Sequence, residues 1–126
     1  MTKGSRKTGA ILAIVGGAFA CYMHVIPLVI NLIHIGSSGL SWLQNIFQVT
    51  CAILAIVGGI YLYRDKGTGG ILAIIGGAGL ILVHIIFALL VYHSPSEIRA
   101  YIIWYFVYAL GIIGGIIGYA SGPEEA

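Results

Sequence analysis

Four long apolar runs divide the chain, and short polar segments separate them. The runs cover about residues 9–35, 42–63, 69–92 and 98–119. Spanning a bilayer as a helix takes about 20 predominantly apolar residues, so each run is long enough. Membrane β-strands instead alternate apolar and polar residues in short segments, a pattern that is absent here. The sequence therefore predicts an all-α fold: one integral membrane domain, residues 1–126, built as a four-helix transmembrane bundle.

The first and third runs repeat each other. GAILAIVGGAFACYMHVIPLVI at 9–30 matches GGILAIIGGAGLILVHIIFALL at 69–90. The ILAIVGG string recurs at 53–59, and a looser form, GIIGGIIG, lies at 111–118. The pattern predicts that a two-helix hairpin has been duplicated. Each copy holds an even number of spans, so we expect a parallel internal repeat about an axis along the membrane normal.

Charge distribution predicts the orientation and limits the partners. One side of the predicted bundle carries Lys3, Arg6, Lys7, Arg64 and Lys66, and the other carries Arg99. Cytoplasmic loops hold the excess of Lys and Arg, so both termini are predicted to be cytoplasmic. Only 8% of residues are charged, against about 25% in soluble domains. No basic stripe with interleaved aromatic residues is present, so lipid rather than nucleic acid is the expected partner.

Each run also contains a pair of adjacent glycines. The pairs are Gly16 and Gly17, Gly58 and Gly59, Gly76 and Gly77, and Gly114 and Gly115. Counting from the cytoplasmic ends places all four at a similar depth. Membrane helices associate through close packing at small residues, so the pairs predict a tight helix-packing waist in the inner leaflet.

Helical spacing selects one inward face for each helix. These faces are Ala13, Gly17, Ala20, His24 and Asn31; Ser41, Asn45, Gln48, Ala52, Ala55 and Gly59; Ala73, Gly77, His84 and Ala88; and Tyr101, Trp104, Tyr108, Gly111, Gly115 and Gly118. Glycine and alanine occupy the cytoplasmic half, whereas polar and aromatic residues occupy the outer half. We therefore predict a bundle that is closed at its base and has a wider polar cavity in the outer leaflet.

His24 and His84 occupy equivalent positions of the repeat and are the main candidates for binding. Two imidazoles facing each other across a four-helix bundle can ligate haem, so a bis-histidine haem b site is one hypothesis. The favoured interpretation is that they form hydrogen bonds between helices, to Asn31, Gln48 or a tyrosine hydroxyl. A third hypothesis is a site that binds a ligand or a proton, with Asn31, Gln48 and Trp104 as further lining residues.

The sequence shows no catalytic constellation. No Ser or Cys has a plausible base, and there is no carboxylate pair or metal-spaced His/Glu cluster. We therefore predict a protein that is not an enzyme and holds no metal. Cys21 and Cys51 are expected to be small apolar residues without a disulfide. Pro27 is expected to kink the outer third of the first helix, and its counterpart in the repeat is Phe87.

The ILAI(V/I)GG strings and the four short-looped spans resemble the small glycine-rich tetraspan proteins of prokaryotes, which have no assigned function. The resemblance implies a multi-pass protein of the prokaryotic cell membrane and transfers no site. The leading hypothesis is a helix-packing or interaction module that associates with itself or with another membrane protein. The alternatives are a carrier of a ligand or of haem b, and a small oligomeric channel or transporter.

Overall fold

The computed structural model describes residues 3–33, 41–91, 93 and 96–121. Its helices are α1 (Lys3–Ile33), α2 (Ser41–Tyr63), α3 (Thr68–Ile86), the short α4 (Ser96–Ala100) and α5 (Ile102–Ala120), and a π-helical segment (Phe87–Val91) continues α3. The predicted all-α four-helix bundle is confirmed, and the described ranges contain no strand. Four helical segments are long and apolar enough to cross a membrane: Ser5–Ile30, Leu43–Tyr63, Thr68–Leu90 and Ile102–Ala120.

The four long helices form a closed ring. Helix α1 packs against α2 and α5, and α3 packs against the same two helices, so α1 and α3 lie diagonally opposite. Arg6 near the start of α1 contacts Asp65, between α2 and α3, and Gly118, near the end of α5. These three segments therefore meet at one end of the bundle. We call it the basic end and define it by Arg6, Lys7, Arg64, Asp65 and Lys66.

The described residues of the predicted inward faces are buried, except Asn45, Tyr101 and Trp104, which are half-buried. Ala13, Ala20, Ala52 and Ala73 are fully buried. Large apolar side chains instead cover the outside of all four long helices, among them Ile11, Ile53, Ile71 and Ile113. Small residues lie inside because they let the helix backbones approach closely, which is how helices associate in lipid.

Each glycine pair divides its contacts between two neighbouring helices. Gly16 packs against α5 and Gly17 against α2, while Gly58 packs against α3 and Gly59 against α1. The approach is close: a Cβ atom added at Gly59 would lie 2.8 Å from the Ala10 carbonyl oxygen. Every pair therefore serves two interfaces at once, which explains why adjacent glycines recur in each long helix.

The four pairs lie in two layers, so the predicted single waist is wrong. Gly17 meets Ala52 and Ile56, whereas Gly59 meets Ala10 and Ile14. The glycine pairs of α1 and α2 are therefore about four residues apart along the bundle, or ~6 Å at 1.5 Å per residue. The offset has a packing reason: one glycine of each pair receives an isoleucine side chain from a neighbouring helix.

Residues that the sequence repeat equates make corresponding contacts. Gly9 approaches Gly114 and Gly118, and its counterpart Gly69 approaches Gly58 and Leu62. Gly58 and Leu62 are the positions that the repeat pairs with Gly114 and Gly118. Both halves of the chain thus use the same interhelical approach. The duplication itself stays a prediction.

Two helix boundaries differ from those predicted. Helix α1 begins at Lys3 instead of about residue 9, because the polar N-terminal residues continue its first turns beyond the apolar run. The fourth apolar run was expected to be helical from residue 98, but a turn at Tyr101 separates α4 from α5. The long helix therefore begins at Ile102.

Pro27 and its counterpart Phe87 both mark an irregular position. Pro27 lies inside α1 and lacks the N–H that an α-helix would use there. Phe87 begins the π-helical segment, in which hydrogen bonds span five residues instead of four. The Phe87 N–H, by contrast, bonds the carbonyl oxygens of Val83 and His84, so the two copies differ in this backbone bond. The kink at Pro27 stays a prediction.

Candidate functional site

His24 links its own helix to both neighbours. Its Nδ1 lies 3.3 Å from Asn45 Oδ1 on α2, and its Nε2 lies 2.6 Å from Tyr108 Oη on α5. A carboxamide oxygen only accepts, so Nδ1 carries the proton and donates to Asn45. The Nε2 of this neutral tautomer then accepts a hydrogen bond from the Tyr108 hydroxyl. Both ring nitrogens of His24 are therefore engaged.

The direction of helical side chains explains why Tyr108 reaches His24. Side chains on a helix lean toward its N-terminus. Helix α5 ends at the basic end, so Tyr108 leans away from that end and toward the level of His24. Its ring is almost fully buried, at 1% exposure, and the two ring centroids lie 5.9 Å apart.

His84 lies on the diagonal helix α3 and contacts Tyr105 of α5 and Tyr101, the residue before α5. Its Nδ1 lies 2.6 Å from Tyr105 Oη. The Tyr101 ring lies against the imidazole, with centroids 4.3 Å apart, and the Tyr105 ring meets it edge-on at 5.4 Å. The buried histidines thus each have a tyrosine hydroxyl partner on α5. We call His24, Asn45, His84, Tyr105 and Tyr108 the histidine–tyrosine layer.

The other predicted site residues have different outcomes. Gln48 is fully buried, and neither its Oε1 nor its Nε2 has a hydrogen-bond partner. Trp104 is half-buried and packs against a core cluster of Ala20, Ala52, Leu80 and Tyr108. The side chain of Asn31 lies outside the described residues. Hydrogen bonding by His24 to a tyrosine hydroxyl is as predicted, but Asn45 takes the place expected for Asn31 or Gln48.

This geometry does not suit the bis-histidine haem hypothesis. A haem ligand needs a free imidazole lone pair, and at His24 that lone pair accepts the Tyr108 hydrogen bond. Haem ligation at this nitrogen would have to break this bond. Within the described ranges, no group of three or more His, Cys, Asp and Glu residues is placed to hold a metal ion.

A buried arginine at the basic end was not predicted. Arg6 is 5% exposed; its Nε donates to the Gly118 carbonyl oxygen at 3.1 Å, and its Nη1 lies 2.8 Å from Asp65 Oδ1 and 3.2 Å from the Asp65 carbonyl oxygen. We had counted Arg6 only as an orienting loop charge. The signal was present, because Arg6, Ala10 and Ala13 continue the inward face of α1 at helical spacing.

Two lysine–tyrosine contacts lie at the same end of the bundle. The Lys7 ammonium lies 5.2 Å from the centre of the Tyr63 ring, and the Lys66 ammonium lies 5.6 Å from that of Tyr61. Such cation–π contacts are worth about 0.5–1 kcal/mol at exposed sites. They keep the ammonium groups of Lys7 and Lys66 close to the helices at the basic end.

The outward face of α1 carries a groove of about 380 Å³ lined by Val15, Ala18, Phe19 and Tyr22. These positions follow the i, i+3, i+4, i+7 spacing of one helix face. Ala18 has the smallest side chain of the four and forms the floor of the groove. Cys21, beside this face, and Cys51 are free thiols that pack against the core cluster, in line with their expected role as small apolar residues.

Compared with protein-family models, curated proteins and solved structures, the chain matches none of them. Its function is therefore inferred from its own residues and geometry. The resemblance to prokaryotic tetraspan proteins stays a prediction.

Proposed function

We propose that the chain is a non-enzymatic, multi-pass integral membrane protein with both termini in the cytoplasm. Four apolar helices of sufficient length support this location, as do the large apolar side chains on their outer surface. The concentration of Arg6, Lys7, Arg64 and Lys66 at one end supports the orientation, since cytoplasmic segments carry the excess of basic residues. The resemblance to prokaryotic tetraspan proteins suggests a prokaryotic cell membrane.

In this membrane, we propose, the bundle is a module that associates laterally with a second copy of itself. The observation that carries the proposal is the groove on α1, with Ala18 between Val15, Phe19 and Tyr22. A small residue flanked by large ones at helical spacing is the pattern by which one membrane helix receives another. The same face of a second α1 would pack against it about a twofold axis, as in most homodimers.

Tyr22 adds a polar reason for association. Its side chain is 68% exposed on the outside of the bundle. Tyr22 lies eight residues before Ile30, where the candidate span ends, which places it ~12 Å from that end. The side chain leans toward the N-terminus of α1, which is away from that nearer boundary. Tyrosines favour the membrane interface, where the hydroxyl stays wet. A phenol at this depth gains from a protein partner, because lipid tails offer no hydrogen bond.

The test is Förster transfer between donor- and acceptor-labelled copies in proteoliposomes, measured as lipid is added. Specific association gives a transfer signal that depends on the protein-to-lipid ratio and is lost in Ala18→Phe, which fills the groove. Ile75→Phe is the matched control, because Ile75 is 52% exposed on α3, outside this groove.

We expect Ile75→Phe to retain the wild-type transfer. Circular dichroism of both variants checks that the helices are intact. Equal transfer in wild type and Ala18→Phe would contradict association through this face. Transfer no greater than that of randomly distributed labels would contradict self-association altogether.

A further inference from the structure

The side chain of Gln48 is the least explained polar group in the bundle interior. It is 0% exposed, and both its carboxamide oxygen and its nitrogen lack a hydrogen-bond partner. A glutamine amide offers two N–H donors and an oxygen with two lone pairs. Native proteins leave few such groups unsatisfied, and internal water commonly completes their bonding.

The position of Gln48 on α2 places it within the histidine–tyrosine layer. Asn45, three residues earlier, contacts His24, and Ala52, four residues later, packs in the cluster with Tyr108. Residues at this spacing share one helix face. Tyr108 in turn bonds His24. Gln48 therefore lies on α2 between Asn45, which bonds His24, and Ala52, which packs with the other partner of His24. Its amide lies in the bundle interior, at the level of these hydrogen-bonded groups.

The chemistry of this layer selects an uncharged guest. The segments 8–33, 41–63, 68–91 and 100–121 contain no Asp, Glu, Lys or Arg, so no fixed charge is available there to pair with an ion. In its neutral form, His24 satisfies both contacts, donating to Asn45 and accepting from Tyr108. The Tyr108 oxygen donates its proton to His24 and keeps lone pairs that can accept. A matching guest must both donate and accept hydrogen bonds.

We propose that Gln48 and the histidine–tyrosine layer form a buried polar site that binds a small uncharged molecule with both hydrogen-bond donors and acceptors. Water and a small amide-like solute share this chemistry. The guest accepts from Gln48 Nε2 and donates to Gln48 Oε1. This site is independent of the α1 groove, since Gln48 faces the interior.

The chain offers a direct test, because Gln44 and Gln48 are its two glutamines. The full-length protein is perdeuterated, back-exchanged into H₂O, labelled with ¹⁵N at the glutamine side chains, placed in perdeuterated lipid and studied by solid-state NMR in solute-free buffer. Gln48→Met removes one amide signal and Gln44→Met the other, which assigns both. Gln44 is the matched control: it lies one turn earlier on α2 and is partly exposed.

Magnetisation transfer from water to the Gln48 amide, with slower exchange into D₂O than for Gln44, supports bound water. Transfer from non-exchanging protons of a retained molecule supports an amide-like solute. We expect Gln48→Met to melt at a lower temperature than wild type. Absence of both kinds of transfer to Gln48, or a Gln48→Met variant that melts higher than wild type, would overturn the proposal.

Discussion

The Tyr108 hydroxyl donates a hydrogen bond to His24 Nε2 over 2.6 Å, although the two residues lie 84 positions apart in the chain. This bond joins α5 to α1, two helices that also pack closely through their glycines. His24 also bonds Asn45, so one imidazole connects three helices at a single level. The histidine that seemed the best candidate ligand is thus engaged in interhelical bonding.

We expect Tyr108→Phe to destabilise the bundle by about 1–3 kcal/mol, because it leaves the buried Nε2 of His24 without a donor. The free energy of unfolding in mixed micelles measures this loss. Tyr119→Phe is the control, since Tyr119 is exposed, and should stay close to wild type. If Tyr108→Phe unfolds like wild type, the Tyr108–His24 bond adds no stability.

Gly114→Ala should lower stability by about 1–3 kcal/mol through overpacking. The added Cβ would meet the Gly9 carbonyl oxygen and lie 2.8 Å from the Ala13 nitrogen. Alanine is the better helix former by about 1 kcal/mol, so helix propensity alone would make the variant more stable. A net loss of stability must therefore come from the packing. Gly67→Ala is the matched control, because its Cβ would lie 3.4 Å from Arg6 Nη2 and contact no backbone. Thermal midpoints of both variants decide the point.

Arg6→Met should destabilise the basic end more than Lys7→Met does. Each hydrogen bond to a charged group is worth about 1.5–3 kcal/mol, and Arg6 bonds both Asp65 and Gly118. Lys7 makes one contact with the Tyr63 ring, worth about 0.5–1 kcal/mol. Hydrogen exchange of the amides in 60–70 reports the local effect. Equal exchange in the two variants would contradict a special role for Arg6.

Haemin added to the purified protein should give no low-spin bis-histidine spectrum. The reason is that the Nε2 lone pair of His24 is committed to Tyr108. A visible absorption titration in detergent checks this. A Soret band that saturates at one haem per chain and disappears in His24→Leu would restore the haem hypothesis.

Helical periodicity was sufficient to predict the fold and the inward faces. Small and polar residues recur at helical spacing on each apolar run, and large aliphatic residues fill the remaining positions. This contrast made Ala13, Ala20, Ala52 and Ala73 identifiable as buried without any structure. The regularity of the helix carried these predictions, since spacing alone sets which side chains share a face.

Partners across the bundle were harder to predict, because they depend on side-chain length and direction. Counting residues places the backbone of Tyr108 nearer the basic end than the backbone of His24. The long Tyr108 side chain nevertheless reaches the level of the imidazole. Tyr105 was missed as the partner of His84 because it lies next to the selected face. The turn at Tyr101 and the buried state of Arg6 depend on tertiary contacts that spacing only partly encodes.

Cysteine crosslinking in native membranes tests lateral self-association through α1 most directly. In a background with Cys21→Ala and Cys51→Ala, Tyr22→Cys is compared with Leu82→Cys, its repeat counterpart on α3 and 56% exposed. Oxidation is followed by gel electrophoresis. We predict a crosslinked dimer for Tyr22→Cys and monomer for Leu82→Cys. Monomer for both, or equal crosslinking at both positions, would contradict an interface on α1.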